Sequence, residues 1–346
     1  MTFSFAELRR WAEAVLQAAG ADQASAQATA EVLLEADLKG IASHGLVRLP
    51  VYVRRLEAGL ANPRPSPRLL RDEGPLGLLD GDQGLGPRVG LWAVEEALAK
   101  ARGYGVGVVG VQRSTHFGMA GFYAERMAEA GYLGLVLSNV EPDVVPYGGR
   151  KAALGTNPLA FAAPAPQGPL VVDLATSQAA MGKVFLARAR GERIPPDWGV
   201  DELGQPTQDP NQVRALLPLG GPKGYALALM VEVLAGVLTG AGVAHGVGRM
   251  YDDWSRPQNV GHLFLALDPA RFLSQEVFLK RMEELWEGIK ATPPAPGFGE
   301  VFLPGERERA LKAVRLRDGV PLEAATLEAL RELGRRWGQP LEVGHA

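Results

Sequence analysis

Residues 105–139 read GVGVVGVQRSTHFGMAGFYAERMAEAGYLGLVLSN, and this stretch decides the fold class. It opens with an unbroken apolar run at 106–111 and closes with another at 133–137. Such runs suit strands covered on both faces. Between them a helix is expected, its start marked by Ser114 and Thr115 and its end by Gly131. Strand, helix and strand in that order give an α/β protein. On this reading His116 falls at or just inside the first helical turn. Ala120, Ala124 and Ala128 form a narrow stripe of small residues beside Gly118 and Gly121, where another backbone or a flat ligand can lie close.

A histidine at a helix N-terminus has its charged form opposed by the helix dipole. Neutral imidazole is the state needed to take a proton from an alcohol. The same residue also reads as a buried, hydrogen-bonded histidine, and position alone does not choose between the two.

Outward from this unit, Ser4 and Glu7 form a capping box ahead of Leu8, Trp11, Val15 and Leu16, and Gly20 ends that helix. Asp22 caps a second helix, which Gly40 stops. The segment Ser43-His44-Gly45-Leu46-Val47-Arg48-Leu49-Pro50 follows. If a helix starts near Ser43, His44 and Arg48 share a face at i, i+4. Pro50 is comfortable only in a first turn, which favours a start nearer Val47 with His44 in the loop before it. Residues 59–87 read as a Gly- and Pro-rich connector with a short strand at 76–79, and 87–101 as a helix. Strands are expected at 159–163 and 171–174, the second ending in Asp173, and 188–210 as a surface excursion. Gly221-Pro222-Lys223-Gly224 opens a helix at 226–239 that is apolar nearly all round apart from Glu232, so it is expected to be buried centrally. A strand at 260–267, amphipathic helices at 273–290 and 321–337, and a basic helical segment after Pro304 complete the chain.

The chain has 346 residues, enough for two domains, and a net charge of only −3. With no basic stripe, nucleic acid and anionic membrane are poor partners. No apolar run is long enough to span a bilayer, and the N-terminus carries no signal-peptide pattern. The absence of cysteine excludes disulfides and thiolate chemistry and fits a cytoplasmic location. Arginine outnumbers lysine and proline is abundant, as in heat-adapted proteins.

Gly105-Val106-Gly107-Val108-Val109-Gly110 matches the dinucleotide pattern G-x-G-x-x-G, but its glycines lie inside an expected strand that follows a helix. The fingerprint needs them in the turn after a strand. Gly221-Pro222-Lys223-Gly224 is a better anion site, because free N–H groups, the dipole and the lysine point the same way; an ordinary turn with a solvated lysine reads equally well. Asp173 ends a strand where α/β folds place ligand contacts, or caps the next segment. No zinc spacing surrounds His44 or His116, so no metal is expected, and there is no G-x-S-x-G elbow. His245, His262 and His345 read as structural or solvated.

The motifs ADLKGI (36–41), SHGLVRLPVY (43–52), HFGMAGFYA (116–124), VVPYGG (144–149), LGTNPLAFAAP (154–164), DLATS (173–177), GPKGYALALMVEVLAGVLTGA (221–241), MYDDW (250–254), TPPAPGF (292–298) and PGE (304–306) resemble, in collinear order from about residue 5 to 320, the type 2 malate/L-lactate dehydrogenase family. That family also holds ureidoglycolate, sulfolactate and diketogulonate enzymes and a cyclic-imine reductase.

The resemblance implies a non-Rossmann, sulfolactate dehydrogenase-like nicotinamide fold. It implies a helical lobe from 1–75 plus 300–346, an α/β cofactor domain at 76–299, NAD or NADP as cofactor, and a homodimer. His116 then looks like the proton donor and acceptor, with His44 and Ser43 beside it; His44 relayed through Ser43 is the alternative. Arg48 looks like the carboxylate clamp, a role suited to its bidentate fork. Thr156 and Asn157 are expected to line the substrate or nicotinamide pocket. Ser138, Asn139, Asp173, Leu174, Ala175, Lys223, Gly224, Gly305 and Glu306 are expected to meet the cofactor. Val140 departs from the family pattern, since relatives carry a polar side chain there. The reaction implied is hydride transfer at C2 of a 2-hydroxy or 2-oxo acid. Reduction of a related substrate, and an idle carboxylate-binding relative, are the competing readings.

Overall fold

The computed structural model describes residues 1–342; His345 lies outside them. A seven-stranded mixed sheet forms the centre, in the order Arg68–Glu73, Leu76–Asp80, Val106–Ser114, Val260–Leu267, Leu133–Ser138, Leu159–Ala163, Leu170–Leu174. The two apolar runs of the 105–139 unit are both strands, but they are not neighbours. Val260–Leu267 lies between them and pairs antiparallel with each, Phe264 standing opposite both Val109 and Val136. Only Leu76–Asp80 and Val106–Ser114 run parallel.

Both faces of the sheet are covered. Helices Gly86–Tyr104 and Ala120–Glu129 bury Val89, Ala93, Ala97, Tyr123 and Met127 against Val109, Val111, Val136 and Phe264 on one face. On the other, Val231 and Ala235 pack on Leu137 and Leu263. Two glycines permit the close contact. A Cβ at Gly107 would lie 2.0 Å from the Ala97 carbonyl oxygen, and one at Gly261 would lie 1.8 Å from that of Ala235. Of the glycines in the G-x-G-x-x-G match, Gly107 and Gly110 therefore serve close packing within a strand, Gly110 against Thr239, while Gly105, at φ +82°, ends helix Gly86–Tyr104.

Helices Phe5–Ala18, Gln23–Leu38, Leu49–Glu57 and Ala324–Arg336 build a second core around Leu8, Leu16, Leu33, Leu46, Val53 and Leu330, closed by a small ladder between Thr2–Phe3 and Val320–Pro321. The Ser4 capping box forms as expected. Helix Glu306–Asp318 joins this lobe through Lys312, 2.6 Å from Glu35, and Arg315, which donates to the Asp37 carbonyl. A lobe boundary at residue 75 falls inside the hairpin of Arg68–Glu73 and Leu76–Asp80. The former strand, expected in the helical lobe, belongs to the sheet because its backbone pairs there.

Two further expectations are corrected. The 188–210 excursion is anchored, since Ile194 joins Val184, Val213 and Leu216 in a small core of its own. The apolar helix comprises Pro222–Val231 followed by a π-helical segment, Glu232–Val237. It is not central: Val233 and Val237 are 51% and 57% exposed, while Glu232 is 4% exposed. The buried carboxylate is satisfied by three donors, Asn139 Nδ2 at 3.1 Å, Ala244 N–H at 2.8 Å and Asn157 Nδ2 at 2.8 Å. Without such donors its burial would cost several kcal/mol, of order 5 or more.

Candidate active site

The helix after Val106–Ser114 starts later than the sequence suggests, at Ala120. Ser114 and Thr115 do not cap it. The Ser114 hydroxyl meets His262 Nε2 at 2.9 Å, and Thr115 Oγ1 accepts from Gly86 N–H at 2.8 Å. Gly118, at φ +85°, turns the chain between. His116 therefore sits in a loop, and the helix dipole is not what holds its imidazole neutral. Its pKa is pushed well below the ordinary value by burial first, then by the charge of Arg48.

Three groups fix His116. Its backbone N–H donates to Gln258 Oε1 at 3.2 Å, Gly118 N–H lies 3.3 Å from Nδ1, and the Tyr52 hydroxyl lies 2.6 Å from the same nitrogen. With Nδ1 engaged, Nε2 is the nitrogen left to face a substrate.

The 43–50 segment takes the second of its two possible forms. Short 3-10 turns at Ala42–His44 and Leu46–Arg48 precede the helix Leu49–Glu57, which keeps Pro50 in its first turn. Asp37 supports the bend. Its Oδ2 accepts from Leu46 N–H at 2.8 Å, and a Cβ at Gly45 would lie 1.9 Å from its Oδ1. His44 thereby stacks toward His116, ring centroids 5.8 Å apart. Ser43 Oγ lies 2.9 Å from His44 Nδ1, and burial with Arg48 nearby lowers the pKa of His44 to about 4. Arg48 donates through Nε to the Ser43 carbonyl at 2.7 Å and lies 5.4 Å from the centre of the Tyr251 ring. The 249–256 segment that carries Tyr251 is held in turn by Arg55, a 2%-exposed residue whose guanidinium donates to the carbonyls of Arg249, Met250, Asp253 and Arg256.

A cavity of about 720 Å³ adjoins these loops, with Ile41 and Met119 in its wall beside Gly121, Asp173, Phe298 and Gly305. Asp173 opens into it, accepts Gly121 N–H at 2.7 Å and has its pKa raised by burial to about 6. Gly305, at φ +92°, stands against Val171. The Pro222–Val231 helix opens as expected, and its turn is tied to the segment after Asp173 by Leu219 N–H to Thr176 O at 2.9 Å. Lys223 is exposed and Gly224 buried; Leu174, Ala175 and Thr156 are partly exposed.

Four expected contact residues turn their side chains inward. Ser138 meets His262 Nδ1 at 2.9 Å. Asn139 donates to Glu232 and to Gly242 O. Asn157 donates to Glu232 and Ala228 O and accepts from Val140 N–H. Glu306 accepts from Leu303 N–H at 2.6 Å and pairs with Lys290. Their polar side chains brace the loops they stand on. Sequence reasoning missed Tyr52, Gln258, Asp37 and Arg55. A hydroxyl at Tyr52, where packing alone needs only a ring, is the signal that could have found the first.

Two imidazoles whose charged forms are opposed by burial thus lie beside a guanidinium, with a cavity adjoining their loops, an arrangement able to accept a proton next to an anionic group. The family model described as malate/L-lactate dehydrogenase matches residues 3–331. The L-sulfolactate dehydrogenase of Methanocaldococcus jannaschii is 38% identical, covering 95% of this chain and 95% of its own. The ureidoglycolate dehydrogenase (NAD(+)) of Escherichia coli K12 is 39% identical, covering 92% and 94%. The solved structure of the M. jannaschii sulfolactate dehydrogenase superposes with a TM-score of 0.92 at 36% identity, over 98% of each chain. The chain belongs to the malate/L-lactate dehydrogenase family and is an oxidoreductase acting on CH–OH.

Proposed function

We propose that this enzyme interconverts a 2-hydroxy acid and its 2-oxo acid with NAD or NADP. The observation that carries the reading is the placement of Arg48 beside two stacked, neutral histidines, on loops whose neighbouring residues Ile41 and Met119 line the 720 Å³ cavity. The cavity fits a dinucleotide in kind: its volume lies in the usual range for cofactor sites, its wall mixes apolar surface with the Asp173 carboxylate, and the closeness of Gly121 to Asp173, 2.8 Å from where a Cβ would stand, lets its N–H hold that carboxylate at the wall. The 173–175 segment, Gly305 and the helix opening at Lys223 and Gly224 would hold it. When bound, the nicotinamide exchanges a hydride with C2 of the substrate.

The residues supply the rest. Arg48 takes the carboxylate and sets the hydroxyl against Nε2 of His116. In oxidation Nε2 receives the hydroxyl proton while the C2–H bond gives up its electron pair as hydride; in reduction the imidazolium returns a proton to the new alkoxide. A carboxylate on Arg48 also cancels part of the field that lowers the His116 pKa, so substrate binding raises it and supplies the acid for reduction. Absorbance at the NADH band, with a panel of 2-oxo acids and both cofactors, tests the reading; no turnover with any pair would defeat it.

The division into a helical lobe and a cofactor domain, a cytoplasmic, heat-adapted source and a homodimer complete the proposal. Val233, Val237 and Leu238, 51–63% exposed on one helix, support the dimer. Light scattering should give twice the mass of the chain, and Val237→Glu should lower it; a fully active monomer at micromolar concentration would count against the dimer.

A further inference from the structure

His116 Nδ1 has two polar neighbours of unequal capability. Gly118 N–H, at 3.3 Å, only donates, and by itself it would favour a bare Nδ1 with the ring proton on Nε2. That tautomer has no lone pair on Nε2 and cannot accept a proton from an alcohol. The Tyr52 hydroxyl, at 2.6 Å, both donates and accepts, and is much the closer of the two.

We propose that Tyr52 is a positioning residue for the proton transfer: its oxygen accepts Nδ1–H of His116 and leaves the Nε2 lone pair for the substrate hydroxyl. This deepens, and rests on, the assignment of His116 above. After the transfer both ring nitrogens carry protons, and the same oxygen keeps the buried Nδ1–H paired. The phenol is not itself the base. It is 2% exposed, and burial raises its own ionisation far above the working range, so it stays neutral. It comes from helix Leu49–Glu57, one turn beyond Arg48, which caps the start of that helix, so the carboxylate clamp and the partner of the base are set by adjoining turns of one segment.

The charged and titratable groups acting on the ring are Arg48, His44 and His262, besides Tyr52 itself. Tyr52→Phe leaves all three in place and removes only the hydroxyl. The expected result is a folded variant whose oxidation kcat falls about 10- to 100-fold, the usual worth of an outer partner of a working histidine. The acid limb of its kcat–pH profile should move to lower pH, because the imidazolium has lost its acceptor, while KM for the hydroxy acid, set by Arg48, changes less. Unchanged kcat and an unmoved limb would overturn the proposal. If Tyr52→Phe does not fold, 3,5-difluorotyrosine at this position keeps the shape with a weaker acceptor, and the limb should move the same way; an unmoved limb there overturns the proposal equally. ¹⁵N spectra of the imidazoles need no turnover, and five histidines make assignment tractable. Neutral His116 in the unsubstituted enzyme should carry its proton on Nδ1. A proton on Nε2 would overturn the role of Tyr52 whatever the substrate, whereas Nδ1–H in an enzyme inactive on every acid would keep Tyr52 and sink the functional reading.

Discussion

The loop at 115–119 and the loop at 42–48 bring imidazoles within 5.8 Å of each other, yet they are held in different ways. His116 is gripped through its ring by a hydroxyl from helix Leu49–Glu57 and through its backbone by Gln258, and its chain neighbour Phe117 is anchored by stacking 4.2 Å from His262. Among the described residues His44 meets only its chain neighbour Ser43 at Nδ1, and its loop rests on the buried Asp37 carboxylate and on Arg48, which donates to the Ser43 carbonyl. A general acid and base must be aimed, since loss of alignment costs orders of magnitude in rate. The more firmly aimed ring is the better candidate for the proton, and the other for its field and its contact with substrate.

The largest break of this comparison is His116→Asn, expected to lower kcat by roughly 10²–10⁴-fold with cofactor affinity little changed. His44→Asn should cost less. With the His116 pKa of the free enzyme well below 6.5, kcat/KM for oxidation by the unsubstituted enzyme should hold down to mildly acidic pH and fall only below that pKa, while the acid limb of kcat lies at the higher value that substrate binding gives. If the acid limb survives in His116→Asn and disappears in His44→Asn, the roles are reversed.

Arg48 tests the second loop as a binding element. Arg48→Lys retains charge but not the fork, and kcat/KM should drop by about 2 kcal/mol, roughly 30-fold, at the low end for a disrupted charged pair. An unchanged kcat/KM would remove Arg48 from the carboxylate.

Asp37 gives the smallest effect on turnover and the clearest on stability. Burial raises its pKa from 3.8 to about 7 in the folded protein, so its protonated form is the one folding favours. Its contribution is complete below 3.8 and is lost as pH rises through about 7, with a slope of at most about 1.4 kcal/mol for each unit of pH between those two values. Asp37→Asn keeps an acceptor for Leu46 N–H without the charge. Its Tm relative to the unsubstituted enzyme should climb between pH 4 and 7 and then level; parallel curves would show that the carboxyl is not strained.

What the sequence determined by itself is local or carried in long motifs. Strand runs at 106–111 and 133–137, the Ser4 cap, the Asp22 cap and the helix opening at Pro222 follow from apolar period and turn chemistry, which act within a few residues. The candidates His116, His44 and Arg48 came from motif and proximity in the chain. Tertiary structure decided what depends on partners far away in sequence. It inserted Val260–Leu267 between the two runs, since strand pairing is settled by sheet closure. It drew Ser114 to His262 and so delayed the helix after His116. It turned Glu232 inward and its apolar neighbours outward, because two asparagines more than 70 residues away in the chain supply donors there. And it set Tyr52 against His116, 64 residues apart, a contact that no periodicity encodes because it exists only where one lobe is packed against the other.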